Sequence, residues 1–270
     1  MNNSPIGVFD SGVGGLSVFS RLVKLLPEEN YIYYADTFNL PYGNKTKEEL
    51  VKISSSIFDF FQEKGVKAVV MACNTTSATV YEVLKSKYNF EIYPIVQIAA
   101  KYIAGQEYRK AGIFATAATV NSHAYKNEIQ KYNKNILVYE EACPQWVSIV
   151  EKSLFNDNES KENIKMQLDK MLKNDVDKII LGCTHYPYLL NILSKYADEG
   201  IFMDPAEFFA DYIKNDLSKK KLLNDSKIYK REFYVSSNHK QFEKASSLFY
   251  KVEQAKEIKY NQKSMQDTII

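Results

Sequence analysis

Apolar residues fall along this chain in two alternating rhythms. Short dense runs at residues 6–9, 30–35, 66–72, 112–114, 136–139, 176–181 and 231–235 read as buried strands. Between them the apolar positions spread to helical spacing. Leu16, Val18, Phe19, Leu22, Val23 and Leu26 line one face of a helix that Pro27 stops, and Leu50, Ile53, Ile57, Phe60 and Phe61 line another over residues 47–64, ended by Gly65. Further helices are expected through Val80, Val83 and Leu84, over residues 99–103, over residues 161–174 with Ile164, Leu168, Met171 and Leu172 on one face, and through Leu189, Leu190 and Leu193. Turn-forming residues at 39–44 and the hydroxyl-rich stretch with Thr116, Thr119 and Ser122 are expected to be loops. Strands that alternate with helices predict a mostly parallel sheet.

The pattern repeats. When the run ending at Cys73 is laid on the run ending at Cys183, Val69-Val70-Met71-Ala72-Cys73-Asn74-Thr75 faces Ile179-Ile180-Leu181-Gly182-Cys183-Thr184-His185. Upstream, Gly7-Val8-Phe9-Asp10-Ser11 faces Gly112-Ile113-Phe114-Ala115-Thr116. The expected fold class is therefore α/β: two pseudo-symmetric domains with mostly parallel sheets and a site in the cleft between them. Residues 1–97 with 208–270 would make the first domain and residues 98–207 the second. Ligand sites in such sheets lie beyond the carboxyl ends of the strands, where both cysteines stand.

A composition of 45% hydrophobic and 25% charged residues in 270 is that of an ordinary globular protein with material for a full core. The 35 basic and 33 acidic residues are spread along the chain, so no footprint for nucleic acid emerges, and Lys219-Lys220-Lys221 reads as a solvated surface run. No apolar run approaches the ~20 residues that span a bilayer, and the start of the chain lacks the features of an export signal. A cytoplasmic protein with no membrane partner is expected. Three widely separated cysteines make no disulfide framework. Cys73, Cys183 and His185 could in principle converge on zinc, but no C-x-x-C or H-x-x-x-H spacing supports a metal, and none is expected.

A thiol acts as base or nucleophile when ionised, which helix N-termini and nearby cations favour. Both Cys73 and Cys183 precede expected helix starts, whose backbone N–H groups suit a carboxylate. Asn74, Thr75, Thr184, Ser11 and Thr116 add neutral donors, and together they point to a small anionic substrate. Asp10 and His185 are placed to accept or relay a proton; His123 and His239 have no such setting. The rival signal is Gly12-Val13-Gly14-Gly15-Leu16-Ser17 between a strand and a helix, with Asp36 ending the next strand, which approaches a dinucleotide fingerprint. Asp10-Ser11 intervene before its first glycine, and Ser17 stands at the third glycine position.

Taken together, Gly7-Val8-Phe9-Asp10-Ser11-Gly12-Val13-Gly14-Gly15-Leu16, Pro41-Tyr42-Gly43, Ala72-Cys73-Asn74-Thr75, Ala115-Thr116 with Thr119, Cys143-Pro144 with Val147 and Glu151, and Leu181-Gly182-Cys183-Thr184-His185-Tyr186-Pro187 resemble the glutamate racemases of the cofactor-independent aspartate/glutamate racemase superfamily. The resemblance spans most of the chain up to about residue 206 and is loose beyond about 208. It departs at Asp204-Pro205-Ala206, where many members carry a small hydroxyl residue in place of the proline, and at Trp146, a position often aliphatic.

The resemblance implies racemisation without pyridoxal phosphate or any other cofactor. One of Cys73 and Cys183 would take the α-proton and the other would return one to the opposite face. Asp10 would support Cys73, and His185 with Glu151 would support Cys183. Asp10, Ser11, Pro41, Tyr42, Gly43, Asn74, Thr75, Thr184 and His185 would bind glutamate, with Thr116 and Thr119 as further contacts. The product D-glutamate would feed peptidoglycan synthesis, and homodimers are common in the family. A racemase for aspartate or another small acid, or an amino-acid-binding protein that does no chemistry, stays open at this point.

Overall fold

The computed structural model describes residues 3–226 and 228–258. The outer ends of the expected first domain, residues 1–2 and 259–270, lie outside the described residues. The strands are β1 (Ile6–Asp10), β2 (Tyr31–Ala35), β3 (Ala68–Met71), β4 (Glu91–Pro94), β5 (Lys110–Ala115), β6 (Leu137–Ala142), β7 (Lys178–Gly182), β8 (Phe202–Met203), β9 (Arg231–Val235) and β10 (Ala255–Glu257). They form two sheets, ordered β10-β9-β2-β1-β3-β4 and β6-β5-β7-β8, and every pairing is parallel. The α/β class with two parallel sheets is as expected. The repeat also extends to topology, since β2-β1-β3-β4 in one sheet and β6-β5-β7-β8 in the other have the same order, and β9 and β10 extend only the first.

The helices are α1 (Leu16–Leu25), α2 (Lys47–Glu63), α3 (Asn74–Leu84), α4 (Ile95–Ala104), α5 (Ala117–Ser122), α6 (Ala124–Tyr132), α7 (Trp146–Glu151), α8 (Asn158–Leu172), α9 (Leu190–Leu193), α10 (Ala206–Lys219) and α11 (His239–Ser246). Strand alternation sorts the core into three layers. Ile6 and Val8 of β1, Ala68 and Val70 of β3, Ala111, Ile113 and Ala115 of β5, and Ile180 of β7 all face one central cluster shared by both sheets and filled from α1, α4, α6 and α10. The opposite faces pack outward: Phe9, Val69 and Met71 against α2 and α3, and Phe114, Ile179 and Leu181 against α7 and α8. The two sheets are thus held by one core.

Several expectations need correction. β4 was not anticipated, because it is short and ends in Pro94; at the sheet edge, a missing N–H is tolerated. The helix expected at 99–103 begins earlier, at Ile95. The hydroxyl-rich loop is instead α5, capped by Thr116, whose side chain accepts from the Thr119 amide. On α2 it is Phe58 that is fully buried, while Phe60 is half-buried against Tyr34 and Tyr234. After Cys183 no full helix forms; a 3-10 turn, Tyr186–Leu189, leads into the single turn α9. Tyr186, Leu189, Ile192 and Leu193 are buried along it.

The chain returns to the first sheet through β9, which pairs with β2. The return is clipped by Glu29, whose carboxylate accepts from the Asn224 amide (2.7 Å) and from Lys67 Nζ (2.5 Å). Both charged side chains are 3% exposed, so neither has water to fall back on. Among the described residues, no helix is long and apolar enough to cross a membrane. Replacing Lys67 by Met leaves the buried Glu29 carboxyl without its cation, and is expected to cost roughly 3–5 kcal/mol in chemical denaturation. An unchanged denaturation midpoint would show that the pair is not what anchors the returning segment.

Candidate functional site

Parallel strands deliver their following loops to one edge of a sheet, and here the two edges face each other. Between them lies a cavity of about 370 Å³. Cys73 and Cys183 both line it, one from the end of each repeat, each with only a sliver exposed. Cys73 caps α3, and its thiol is pushed up to about 12, first by burial and then by the charge of Asp10, against the opposing effect of Thr76. An α-helix starts directly after Cys73, where burial outweighs it, but not after Cys183, where the expected helix start is replaced by a 3-10 turn.

The polar surroundings of the two thiols differ. Beside Cys183, His185 Nδ1 lies 3.8 Å from the sulfur, and its Nε2 makes an ion-pair contact of 3.2 Å with Glu151 Oε1. Burial alone would lower the histidine pKa and is the largest influence on it. The Cys183 sulfur and Glu151 carboxylate together overcome it, and His185 is pushed up to about 10. Asp10, expected to serve Cys73, is not on the cavity wall. It is fully buried between the two halves, where Oδ2 accepts from the Gly12 amide (3.0 Å) and Oδ1 from the Thr184 hydroxyl (3.4 Å). Burial raises its pKa, while His185 and the Gly12 and Gly15 amides pull it down. It faces both thiols' surroundings, not one.

The glycine-rich loop owes its glycines to this crowding. A Cβ on Gly14 would stand 2.5 Å from Thr184 Oγ1 and 2.6 Å from the His185 ring, and one on Gly15 would overlap the Asp10 side chain. The loop lets the two halves approach, which accounts for the glycines without a pyrophosphate. Asp36, the acid of that fingerprint, is bonded to Tyr42 and Ser236 instead. Among the described residues, no group of three or more His, Cys, Asp or Glu could hold a metal ion.

Of the other expected contacts, Ser11, Pro41, Tyr42, Gly43, Asn74, Thr75, Thr116 and Thr184 line the cavity, together with His185 and Glu151. Thr119 does not. Its hydroxyl is fully buried behind Thr116, 3.0 Å from the Thr116 hydroxyl, so it holds a wall residue without forming the wall. Besides Thr184 to Asp10, hydrogen bonds bridge the halves from Thr75 to Thr116 (2.9 Å), from Tyr125 to Asn74 Oδ1 (2.7 Å) and from Arg21 to Asp204 (2.8 Å). The cavity also includes Leu40, Asn44, Ala117, Pro144, Val147 and Ser148, none of which the residue patterns singled out as contacts. Val147 and Ser148 stand beside the expected Glu151 on one face of α7, a helix of six residues that is too short for its period to be read from the sequence.

The profile of the Asp/Glu/Hydantoin racemase family matches residues 6–210. Glutamate racemase 2 of Caldanaerobacter subterraneus subsp. tengcongensis is 40% identical over 250 residues, 92% of this chain and 94% of that protein. Two solved structures superpose with a TM-score of 0.90, each covering 96% of this chain and 98% of the other. One is a glutamate racemase isoform from Bacillus anthracis (29% identity) and the other the glutamate racemase of Francisella tularensis subsp. tularensis in complex with D-glutamate (30% identity).

The raised pKa of His185 has a measurable sign. Its ordinary value is 6.5 and its folded value about 10, so the stability it contributes is fully present below pH 6.5 and is lost as the pH rises through 10. In an NMR titration the His185 ring is expected to stay protonated through neutrality, and Glu151→Gln is expected to move its midpoint downward. A wild-type midpoint near 6.5 would overturn the ion-pair account.

Proposed function

The chain belongs to the Asp/Glu/Hydantoin racemase family, and from that premise we propose that it interconverts L- and D-glutamate through two cysteines, without pyridoxal phosphate. The observation that carries this reading is that Cys73 and Cys183 line one small cavity from the equivalent strand ends of two like sheets. A planar carbanion can be protonated from either side, and two thiols on opposite walls provide one acid or base for each side. The division into residues 1–97 with 208–270 and residues 98–207 belongs to the same reading. It is supported by β9 and β10 joining the first sheet while β5 to β8 make the second.

One thiol enters the cycle ionised. The α C–H bond breaks, its proton goes to that sulfur, and its electron pair stays on carbon, spread into the carboxylate. The opposite thiol then gives its own proton to carbon, forming a C–H bond on the other face and leaving as thiolate. Atoms and charge balance, and the two sulfurs have exchanged roles. The unliganded site suits the start of this cycle: Cys73 holds its proton, and the His185 cation, backed by Glu151, stands against the Cys183 sulfur.

The hard step is removing a proton from carbon next to an ionised carboxylate. It calls for donors fixed in advance and a site closed to water. Ser11, Asn74, Thr75, Thr116 and Thr184 surround the cavity with neutral donors, and Pro41, Tyr42 and Gly43 close its far wall. In this reading these residues hold the amino acid, with Asp10 and Thr119 acting one layer behind. The fit to glutamate draws on the bound D-glutamate of the Francisella relative. A cytoplasmic enzyme supplying D-glutamate to peptidoglycan synthesis, as a homodimer, is the setting that follows from the family resemblance.

The deciding experiment is proton NMR with circular dichroism of the purified protein and L-glutamate in deuterated water, without pyridoxal phosphate or metal, and with L-aspartate in parallel. Loss of optical activity with deuterium entering the α-carbon of glutamate alone is expected. Exchange of aspartate alone would move the substrate to the smaller acid, and glutamate binding without exchange would favour a binding protein. Cys73→Ser and Cys183→Ser are each expected to lower two-way racemisation by on the order of 10²–10⁴-fold, and near-normal turnover in either variant would sink the two-thiol cycle.

A further inference from the structure

Asp36 is a fully buried carboxylate that the proposed chemistry does not use. It follows β2 directly, and its amide donates to the carbonyl of Asp10 (3.0 Å). Oδ2 accepts from the Tyr42 hydroxyl (2.5 Å) and Asn39 Nδ2 (2.8 Å), and Oδ1 accepts from the Ser236 hydroxyl (2.7 Å) and Asn39 Nδ2 (3.1 Å). Ser236 stands just past β9, its amide bonded to the Ala35 carbonyl (3.1 Å), and its Oγ accepts from the Phe38 amide (2.8 Å).

These side-chain donors are all neutral, so a carboxylate, which only accepts, satisfies them together. Burial pushes the Asp36 pKa up, while Tyr42, Ser236 and Asn39 pull it down. A dry carboxylate is costly to keep, and what this one organises is the segment 37–44. That segment has only two 3-10 turns, Thr37–Asn39 and Tyr42–Asn44, yet it supplies Leu40, Pro41, Tyr42, Gly43 and Asn44 to the cavity wall. It also closes on the opposite half: a Cβ on Gly43 would lie 3.1 Å from Thr116 Cβ.

We propose that Asp36 is a positioning residue for substrate binding, whose carboxylate ties the 37–44 segment to the end of β9 so that Tyr42 and Gly43 meet Thr116 across the cavity. The acid acts through the loop and touches no reacting atom. Its removal therefore weakens binding more than it slows proton transfer. The kinetic half of this inference rests on glutamate being the substrate; the loop-holding half does not.

The test pairs two variants with two readouts. Asp36→Asn puts a donor where Tyr42 and Asn39 need an acceptor, and Tyr42→Phe removes one donor while keeping the ring. In the unliganded protein, amide hydrogen exchange over residues 37–45 is expected to speed up in both variants while α3 keeps its protection. The KM for glutamate is expected to rise roughly tenfold with kcat held within about threefold, and the double variant should be no worse than the more severe single one. Unchanged exchange, a fall in kcat at constant KM, or additive effects would each overturn the proposal. Should Asp36→Asn fail to fold, Ser236→Ala removes a donor from the far side of the carboxylate without touching the cavity, and must show the same two changes in smaller degree. Wild-type protein that turns over no glutamate, with exchange over 37–45 still responding to Asp36→Asn, would end the substrate reading and leave the positioning role standing.

Discussion

Hydrogen bonds across the cleft, Thr75 to Thr116, Tyr125 to Asn74 and Thr184 to Asp10, fix the relation on which everything else depends. Each thiol belongs to its own sheet, and neither sheet alone makes a site. In the proposed cycle a substrate carbon is reached from both sides only if the sheets keep their separation and tilt, and misplacement by an ångström is enough to cost a reaction dearly. The bonds lie at the cavity, where they set the distance directly. The shared core behind them, filled from α1, α4, α6 and α10, keeps the sheets from sliding. Asn74 and Thr75 immediately follow Cys73, so the residues that join the halves sit beside the thiol they position.

The repeat places two sulfurs in like backbone settings and then breaks the symmetry with side chains. Cys73 has Asp10 behind it and a hydrophobic layer from Phe9, Tyr42 and Met71 around it. Cys183 has an imidazole 3.8 Å away, backed by a carboxylate. In the proposed cycle the two thiols alternate between acid and base, so they begin in different states. Their surroundings are unequal in the way that cycle requires, and Asp10, buried between the halves and bonded to Thr184, links one setting to the other.

Much of this was legible in the sequence because period and burial speak directly. β1, β3, β5 and β7 are buried on both faces and read as continuous apolar runs, and the matched ends of β3 and β7 brought out the thiols. What escaped has physical causes. β4 is only four residues long and carries its proline at a free edge. α5 hides in hydroxyls, which suit a cap as well as a loop, and α7 is too short for periodicity to register. Thr119 was placed among the substrate contacts by the family resemblance, but α5 turns its hydroxyl inward, onto Thr116. Which of two adjacent polar residues faces a cavity is a matter of helix phase, and a six-residue helix gives little phase to read.

The returning segment is the other break in symmetry. β9 and β10 have no counterpart in the second sheet, and they do more than lengthen the first. By pairing with β2, β9 converts an edge strand into a central one, and its end carries Ser236 to Asp36. The wall that closes the cavity over residues 37–44 is thereby braced by chain that lies some 200 positions later in the sequence. The corresponding wall of the second half, Pro144 and α7, is braced locally, by Trp146 packed between Phe114 and Tyr186. One wall is held by packing around an indole, and the other joins a polar node at Asp36 to the Tyr42 ring packed edge-on against Phe9.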